Sequence, residues 1–460
     1  MKAYFDALAD AVCRVPRGAG DIDRITLSLA SEDSDFVRFN RGAVRQMTRV
    51  EQRQATVAVT GASFALGAVN GLRRAAGIIS LSGTLADDIE LLRGLRDALA
   101  ADLPMVPPDP HLRMPQTVTN TFRDELASGP GELLPVAAIV DQVVEQAADL
   151  DLVGFYAAGP VIAAFADSRG QRNWHRVQSF HFDWSLYCRG DPIVRDRAVK
   201  SIYAGARWDE VEFERRMTAA RARLALLERP ALKIAPGSYR AWLEPGAVAE
   251  MLGMLAWGGF GIKDRRTGTS SLMALESEEA ALSTQFSLSE ASAFGIAPAF
   301  TETGHVRPDT VPLVAAGKGA QVLVSPRSAA EFGVDANADE SEYPGSLALA
   351  GGTLEASATL AALDTGLWIG NLWYLGYSDR RSCRMTGMTR FASFWVAGGK
   401  IVAPIEVMRF DDSFLRLFGE SLLALSQQVE SLPSSDTYGR RHLGSVSSPG
   451  ALLADMRFTL

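Results

Sequence analysis

The clearest alternation of hydrophobic and polar side chains runs through residues 174–188. Apolar side chains at every second position share one face of an extended strand, and the polar ones share the other. The pattern predicts a strand with one buried and one solvated side, and it places His175 and His181 on the solvated side. The apolar set is Phe180, Phe182, Trp184 and Leu186, opposite His181, Asp183, Ser185 and Tyr187.

Periods of two and of about 3.6 residues predict most of the other elements. Two strands are predicted on either side of a turn at Ala158-Gly159-Pro160, because glycine and proline mark turns. Further strands are predicted over 25–29, 36–46 (a hairpin about Asn40-Arg41-Gly42), 54–59, 64–69 and 239–243. Helices are predicted over 2–14, 84–99, 136–147, 209–227 and 245–255.

Strands and helices do not alternate regularly along the chain, so the expected fold class is α+β rather than a doubly wound α/β fold. With 460 residues the chain is too long for a single hydrophobic core. We place a domain boundary at Glu228-Arg229-Pro230 and expect an N-terminal α+β domain over 1–230 and a C-terminal domain over 231–460. Both domains are expected to contain mixed or antiparallel sheets with flanking helices.

Composition and charge exclude several classes of function. The chain has 46 Lys and Arg against 54 Asp and Glu, a net charge of −8, whereas a nucleic-acid surface would want a basic stripe. The longest apolar run, 251–262, is too short for a membrane span, which takes about 20 residues. Cys13, Cys188 and Cys383 are widely spaced and imply no disulfide framework. We therefore expect a cytoplasmic protein that binds neither nucleic acid nor membrane.

One stretch, residues 366–419, concentrates the recognisable features of the sequence. It opens with an aromatic run and a compact polar turn. Paired glycines between two apolar runs then predict a hairpin of strands 391–396 and 401–405. A short helix is expected to follow, with Asp411 or Asp412 as its N-cap.

Ordered motifs in this stretch point to one protein family. They are Asn371-Leu372-Trp373-Tyr374, Ser378-Asp379-Arg380, Thr386-Gly387-Met388-Thr389-Arg390, Phe394-Trp395-Val396, Ala403-Pro404-Ile405 and Met408-Arg409-Phe410-Asp411-Asp412. Together they resemble the C-terminal signature of the TldD/PmbA family, also called TldD/TldE, of zinc-dependent peptidases, and the similarity covers most of the chain. The resemblance implies a two-domain α+β protein that pairs with related chains around an enclosed cavity. In such complexes a metal-bearing subunit joins a metal-free one, and together they cut unfolded or short peptides.

The catalytic motif of that family is altered in this chain. Catalytic members carry an H-E-x-x-x-H helix, in which two histidines bind zinc and the glutamate polarises the metal-bound water. The corresponding residues here are Pro245 and Glu250 in place of the histidines and Gly246 in place of the glutamate. Because proline and glycine can neither bind metal nor transfer a proton, we expect no catalytic group and no metal here, and zinc in a partner subunit.

Two other residues are weaker candidates for a metal site. His305 lies in the polar loop Glu302-Thr303-Gly304-His305, where a lone histidine is more often structural than a ligand. Cys383 lies between Arg381 and Arg384, which could lower its pKa and make it a thiolate or a ligand. We favour a structural role for both.

Five residues of the signature stretch are candidates for binding a peptide. Trp and Tyr are favoured anchors of contact surfaces, and arginine can pair with a carboxylate. Core packing and structural ion pairs are the simpler interpretation of the aromatic and arginine residues. The candidates are Asn371, Trp373, Tyr374, Arg380 and Arg390.

The favoured hypothesis is a metal-free subunit of a TldD/TldE-type metallopeptidase complex, non-catalytic by itself. It would complete the chamber and hold an extended, unfolded peptide by strand addition for a zinc-bearing partner. Two alternatives stay open: a self-sufficient metallopeptidase that uses Glu250, His305 and Cys383, and a homodimeric peptide-binding protein. The natural peptide, the pathway and the choice between homo- and hetero-oligomer do not follow from the sequence.

Overall fold

The structure is a computed structural model that describes residues 1–15, 22–62, 71–126, 133–190, 194 and 196–459. Within these ranges the chain forms two β-sheets with helices packed against them, which confirms the predicted α+β class. The predicted strand 64–69 lies outside the described residues. The two sheets use strands between residues 22 and 205 and between residues 237 and 458, while the domain boundary at residue 230 stays a prediction.

The first sheet is organised around a long hairpin. Its described strands are β1 (Ile22–Asn40), β2 (Ala43–Ala62), β3 (Leu72–Ser80), β4 (Thr121–Asp124), β5 (Asp151–Asp167), β6 (Arg172–Tyr187) and β7 (Ala198–Gly205). They lie in the order β3-β2-β1-β5-β6-β4, with β7 also paired to β6. The predicted hairpin about Asn40-Arg41-Gly42 joins β1 to β2, and Arg41 and Gly42 have positive φ, as a tight hairpin turn requires.

The second sheet is mixed and larger. Its described strands are β8 (Gly237–Leu243), β9 (Leu288–Glu290), β10 (Val311–Ala315), β11 (Lys318–Gly319), β12 (Ser346–Leu349), β13 (Gly366–Ile369), β14 (Trp373–Asp379), β15 (Arg384–Met388), β16 (Ser393–Ala397), β17 (Lys400–Pro404), β18 (Arg409–Ser413), β19 (Leu422–Pro433) and β20 (Ser445–Phe458). The main path is β11-β10-β9-β12-β20-β8-β13-β16-β17, and β14, β15, β18 and β19 branch from it. Strands β16 and β17 are the hairpin predicted from the paired glycines.

Helices cover the sheets. They are α1 (Lys2–Val12), α2 (Leu85–Asp102), α3 (Val136–Gln146), α4 (Glu210–Leu227), α5 (Pro245–Ala256), α6 (Ile262–Arg266), α7 (Met273–Glu276), α8 (Pro326–Phe332), α9 (Thr359–Leu363) and α10 (Phe414–Leu417). Among the described residues, none of the helices has the length and apolar character that crossing a lipid bilayer would take.

The apolar face of β6 builds the core that joins the two halves of the chain. Phe182 and Trp184 pack with Ile139 of α3 and Phe213 of α4, and the cluster also takes in Phe394 of β16. Aromatic rings dominate this core, and such side chains bury the most apolar area per residue. Since β16 belongs to the second sheet, the hydrophobic core is continuous across the predicted domain boundary.

A buried arginine joins the halves a second time. Arg441 lies in the segment between β19 and β20 and is 5% exposed. Its guanidinium donates to the carbonyl oxygens of Gly159 (2.9 Å) and Ser179 (2.9 Å) and to the Ser179 hydroxyl (2.8 Å). Burial lowers the pKa of Arg441 to about 10, so the side chain is still charged at neutral pH.

The predicted turn at Ala158-Gly159-Pro160 is wrong, because these residues lie inside the continuous strand β5. Gly159 has φ of +140°, and a Cβ on it would lie 2.1 Å from the carbonyl oxygen of Asp33 on the neighbouring strand. The β1–β5 register is the same on both sides of this point, since Glu32 pairs with Val161 and Asp35 with Ala158. The glycine allows the backbones of two strands to lie close together, and it does not mark a turn.

Two further predictions are wrong, one on the exposure of two histidines and one on a helix cap. His175 and His181 are 1% and 2% exposed, because the second half of the chain covers the polar face of β6. His175 Nε2 lies 2.9 Å from the carbonyl oxygen of Ile296. Asp411 and Asp412 do not cap a helix: both lie in β18, and α10 begins after Ser413.

Candidate functional site

The helix that corresponds to the altered zinc motif is α5. It begins directly after β8, with Glu244 as the N-cap and Pro245 at the first helical position, where a missing N–H costs nothing. The Glu244 carboxylate accepts hydrogen bonds from both terminal nitrogens of Arg223 on α4, at 2.9 and 2.5 Å. The start of α5 is therefore fixed against the first half of the chain.

Gly246 lies against the loop that follows β13, residues 370–372, which we call the signature loop. A Cβ on Gly246 would lie 2.8 Å from the side-chain nitrogen of Asn371. The backbone N–H of Leu372 donates to Glu250 Oε2 at 2.7 Å, and the Asn371 amide also hydrogen-bonds to Glu250. The loop after β13 thus occupies the space beside Gly246 and binds the carboxylate one turn further along the helix.

Glu250 belongs to a cluster of two carboxylates and one ammonium group, which we call the lysine–carboxylate cluster: Asp183, Lys200 and Glu250. Lys200 Nζ lies 3.8 Å from Asp183 Oδ2 and 3.9 Å from Glu250 Oε1. The ammonium also lies 5.8 Å from the ring centre of Phe391. Strand β6 supplies Asp183, β7 supplies Lys200 and α5 supplies Glu250, so both halves of the chain build the cluster.

The cluster is enclosed but reachable by solvent. The side chains of Asp183, Lys200 and Glu250 are 27%, 22% and 27% exposed. Burial raises the pKa of Glu250 to about 7, although Lys200 and the hydrogen bonds from Leu372 and Asn371 act in the opposite direction. Burial also raises the pKa of Asp183, against the pull of Lys200. Glu250 can therefore exchange a proton near neutral pH.

Among the five peptide-binding candidates, Asn371 contacts this cluster, and Trp373, Tyr374 and Arg390 contact one another. Beyond Asn371, the Trp373 and Tyr374 rings lie 5.4 Å apart, and the Arg390 guanidinium lies 4.8 Å from the ring centre of Trp373. Arg390 also donates to Asp196 Oδ1 at 2.6 Å. Both rings are exposed, Tyr374 by 79%, so the prediction that they belong to the core is wrong for this pair.

The two exposed rings begin β14, which among the described strands is hydrogen-bonded only to β15. Strand edges that lack a partner are in general able to pair with a further strand. Arg380, the fifth candidate, lies elsewhere: its Nη2 donates to the carbonyl oxygen of Trp257 at 2.6 Å, beyond the C-terminal end of α5. Its guanidinium lies 5.5 Å from the Tyr377 ring centre.

Cys383 and His305 have surroundings that suit structural roles. Cys383 is fully buried, and burial raises the pKa of its thiol to about 12, so the flanking arginines do not make it a thiolate. Burial lowers the pKa of His305 to about 4, and its Nδ1 lies 3.2 Å from the Thr303 hydroxyl. Over the ranges that the structure describes, no group of three His, Cys, Asp or Glu residues is arranged to hold a metal ion.

Sequence reasoning missed Lys200, and it took Asp183 only as part of a solvated strand face. Strand β7 was not predicted, although Val199, Ile202 and Tyr203 are of the β-branched and aromatic types that favour strands. That signal could have located the strand. It could not have placed Lys200 beside a helix that begins 45 residues later, since this depends on how the halves pack.

The profile described as the PmbA/TldA metallopeptidase C-terminal domain matches residues 236–460. The C-terminal half of this chain belongs to the PmbA/TldA metallopeptidase family. Helix α5, the signature loop and β14 all lie inside the matched region, whereas Asp183 and Lys200 precede it. Of the lysine–carboxylate cluster, the matched region therefore contains Glu250 but neither Asp183 nor Lys200. A comparison with curated protein sequences gives no match.

Solved structures show the same fold over the whole chain. TldE from Thermococcus kodakarensis superposes with a TM-score of 0.79 at 11% identity, covering 99% of this chain and 100% of that one. A proposed modulator of a DNA gyrase from Thermotoga maritima gives 0.73 at 13% identity, covering 100% of both chains. A similar protein from Bacteroides thetaiotaomicron gives 0.69 at 13% identity, covering 100% of this chain and 98% of that one.

The residues present on α5 do not fit the zinc ion that a metallopeptidase helix would hold. Zinc sites use cysteine, histidine and carboxylate donors, usually three or four together. Pro245 and Gly246 offer no donor, and the Glu250 carboxylate already binds the Lys200 ammonium and the Leu372 N–H. A cation placed there would also meet the positive charge of Lys200.

Proposed function

We propose that this chain is the metal-free subunit of a TldD/TldE-type metallopeptidase complex, in which a zinc-bearing partner chain cuts the peptide. The observation that carries the proposal is the lysine–carboxylate cluster at the position of the zinc motif. Lys200 supplies a fixed positive charge between Asp183 and Glu250, so the helix keeps its packing without a metal ion. An ammonium group cannot activate water as zinc does.

The second part of the proposal concerns the peptide. The free edge of β14 can take an extended chain by strand addition, in which main-chain hydrogen bonds supply affinity. The exposed Trp373 ring at the start of that edge, with Arg390 over it, offers an anchor for a side chain. An unfolded segment has free backbone N–H and C=O groups that can pair with a strand edge, whereas in a folded protein most of these groups are already paired.

Reconstitution of the complex tests the proposal. The chain is produced alone and together with a related chain that has an intact H-E-x-x-x-H helix, and each preparation is assayed for zinc and for cleavage of an unfolded casein substrate. We expect cleavage and zinc only in the mixed complex, which size-exclusion chromatography should show as a defined assembly. Zinc in the single chain that is lost in His305→Ala would instead support the self-sufficient peptidase. Self-association without any effect on the partner's cleavage would support the homodimeric binding protein.

A point variant tests the peptide-binding edge in the same complex. Trp373→Ala should raise KM for the unfolded substrate by about tenfold while kcat changes little, because an aromatic anchor contributes about 1–2 kcal/mol to binding. Tyr438→Ala is the matched control, since Tyr438 is 92% exposed and lies far along the chain from β14. Equal changes in KM for the two variants would contradict the proposal that the peptide binds along β14.

A further inference from the structure

A cavity of about 550 Å³ lies between the first sheet and the segment that joins β19 to β20. That segment contributes residues within 435–439 to one side of the cavity. Ligand sites in proteins commonly have volumes of about 300–1,000 Å³, with apolar or aromatic walls and a few polar groups. The side formed by the sheet includes residues of three neighbouring strands: Phe36, Arg38, Gln46, Thr48 and Phe155.

Two aromatic rings form a flat part of this wall. The ring centres of Phe36 on β1 and Phe155 on β5 lie 5.9 Å apart, and the ring planes are inclined by only 22°. Both side chains are half-buried and line the cavity, so neither ring is enclosed in the core. A planar ring of a ligand can stack on such a surface.

A positive charge lies beside the two rings. Arg38 is paired across the sheet with Phe155 on one side and with Gln46 on the other, and side chains opposite each other on neighbouring strands are in contact distance. The Arg38 side chain is exposed, and within the described part of the chain its guanidinium forms no hydrogen bond or ion pair. It is therefore free to bind an anion through two parallel hydrogen bonds.

The acidic group in the same wall already has partners. Glu32 is 2% exposed and accepts hydrogen bonds from the Ser34 hydroxyl at 2.9 Å and from the Gln52 amide. The buried guanidinium of Arg441 also attracts the Glu32 carboxylate. Arg38 is thus the charged group of the described wall that remains available to a ligand.

We propose that this cavity binds a nucleoside monophosphate, with the base stacked on the Phe36 ring and the phosphate at the Arg38 guanidinium. The Gln46 amide and the Thr48 hydroxyl line the same wall, and both can donate and accept hydrogen bonds to a base edge or to ribose hydroxyl groups. This site goes beyond the proposed subunit role, because it concerns the chain by itself.

The charge and the size of the cavity select this class of ligand. One free guanidinium matches one phosphate, whereas a diphosphate or triphosphate would bring more negative charge to a chain of net charge −8. A single aromatic ring would leave most of the 550 Å³ empty, and a base, a ribose and a phosphate together can occupy it. A nucleic acid would need a longer basic surface, which a single nucleotide does not.

Calorimetric titration of the full chain with adenosine monophosphate (AMP) tests the assignment. Adenosine lacks the phosphate, and ribose 5-phosphate lacks the base. We expect AMP to bind, and each of the two fragments to bind at least about tenfold more weakly. Arg38→Met should bind AMP no more tightly than it binds adenosine. Phe36→Leu should weaken AMP and adenosine by the same factor, about tenfold, because both contain the base.

Arg49→Met is the matched control, because it removes a positive charge from the same hairpin outside the cavity. The Arg49 guanidinium donates to both carboxylate oxygens of Asp33, each at 2.7 Å. The affinity of Arg49→Met for AMP should equal that of the unchanged chain.

Four results would each overturn the proposal. They are absence of AMP binding, equal losses in Arg38→Met and Arg49→Met, equal affinity for AMP and its two fragments, and displacement of AMP by benzoate at an equal concentration. The last result would show that the cavity selects any aromatic anion and not a nucleotide. The titration needs no partner chain, so its failure leaves the reconstitution test of the subunit role unaffected.

Discussion

At the scale of single residues, Lys200 determines the chemistry of the site on α5. Its ammonium group lies within 4 Å of two carboxylates, at 3.8 Å from Asp183 and 3.9 Å from Glu250. A lysine ammonium is a compact positive charge, so it can neutralise the two carboxylates as a metal ion would. Unlike a metal ion, it does not coordinate ligands. The remaining cost is the desolvation of Glu250, whose pKa is raised to about 7.

That raised pKa predicts a pH dependence of stability. Between about pH 4.5 and pH 7 the unfolded chain loses the Glu250 proton while the folded chain keeps it, so the free energy of unfolding falls as pH rises. Glu250→Gln removes this dependence. Its stability relative to the unchanged chain should increase across that window by up to about 3 kcal/mol in urea titrations at several pH values.

Lys200→Met is the companion variant, because Lys200 lowers the pKa of Glu250. The midpoint of the pH dependence should move above pH 7 in Lys200→Met. A difference between Glu250→Gln and the unchanged chain that is flat from pH 4.5 to pH 8, or that shrinks as pH rises, would contradict the placement of Glu250.

The residues of the site divide into those that sequence could predict and those that it could not. Pro245, Gly246 and Glu250 lie on a helix that the local pattern predicts and the structure confirms, while their match to the zinc motif stays a prediction. Lys200 and Asp183 reach α5 only because the two halves of the chain pack together. A single sequence contains no local signal for that contact.

At the scale of elements, the predicted hairpins at 40–42 and 397–400 follow from turn chemistry that acts within a few residues. The prediction of two strands in place of β5 is wrong, because Gly159 is required by a close contact with a neighbouring strand and not by a turn. Its Cα faces the backbone of Asp33, which is far away in sequence. The sequence predicts an element well where neighbouring residues determine it. It predicts poorly where a glycine is needed for contact with a strand that is distant in sequence.

Gly159→Ala tests this account of β5. A Cβ placed 2.1 Å from a backbone oxygen, on a residue with φ of +140°, must push β1 and β5 apart. We expect a loss of about 3 kcal/mol or more in the free energy of unfolding, measured by urea titration. Gly94→Ala is the control: Gly94 lies in α2 with nothing within 4 Å of the added carbon, and the change should stabilise by about 0.5–1 kcal/mol. Equal effects in the two variants would show that β5 is not constrained at Gly159.

At the scale of the whole molecule, apolar packing and several polar contacts hold the two halves together. Phe394 packs in the core of the first half, Lys200 binds Glu250, and Arg441 binds the first sheet. Because Asp183 and Lys200 lie on neighbouring strands of the first sheet, any loosening of the halves would also open the candidate site.

Arg441→Met should therefore weaken the union of the halves. It removes a buried donor from the carbonyl oxygens of Gly159 and Ser179, which costs about 3 kcal/mol for a charged group. Arg440→Met is the neighbouring control, since its pair with Glu302 is longer and more exposed, and we expect a change of at most about 1 kcal/mol. Limited proteolysis should cut Arg441→Met between the halves sooner than Arg440→Met, and equal rates would argue against this role.

The most direct test of the central claim is the zinc content of the purified single chain after equilibration with excess zinc and gel filtration. Pro245 and Gly246 offer no donor, and Lys200 holds the Glu250 carboxylate, so zinc should stay far below one ion per chain in the unchanged protein and in Glu250→Ala alike. One tightly bound zinc per chain, lost in Glu250→Ala, would contradict the account.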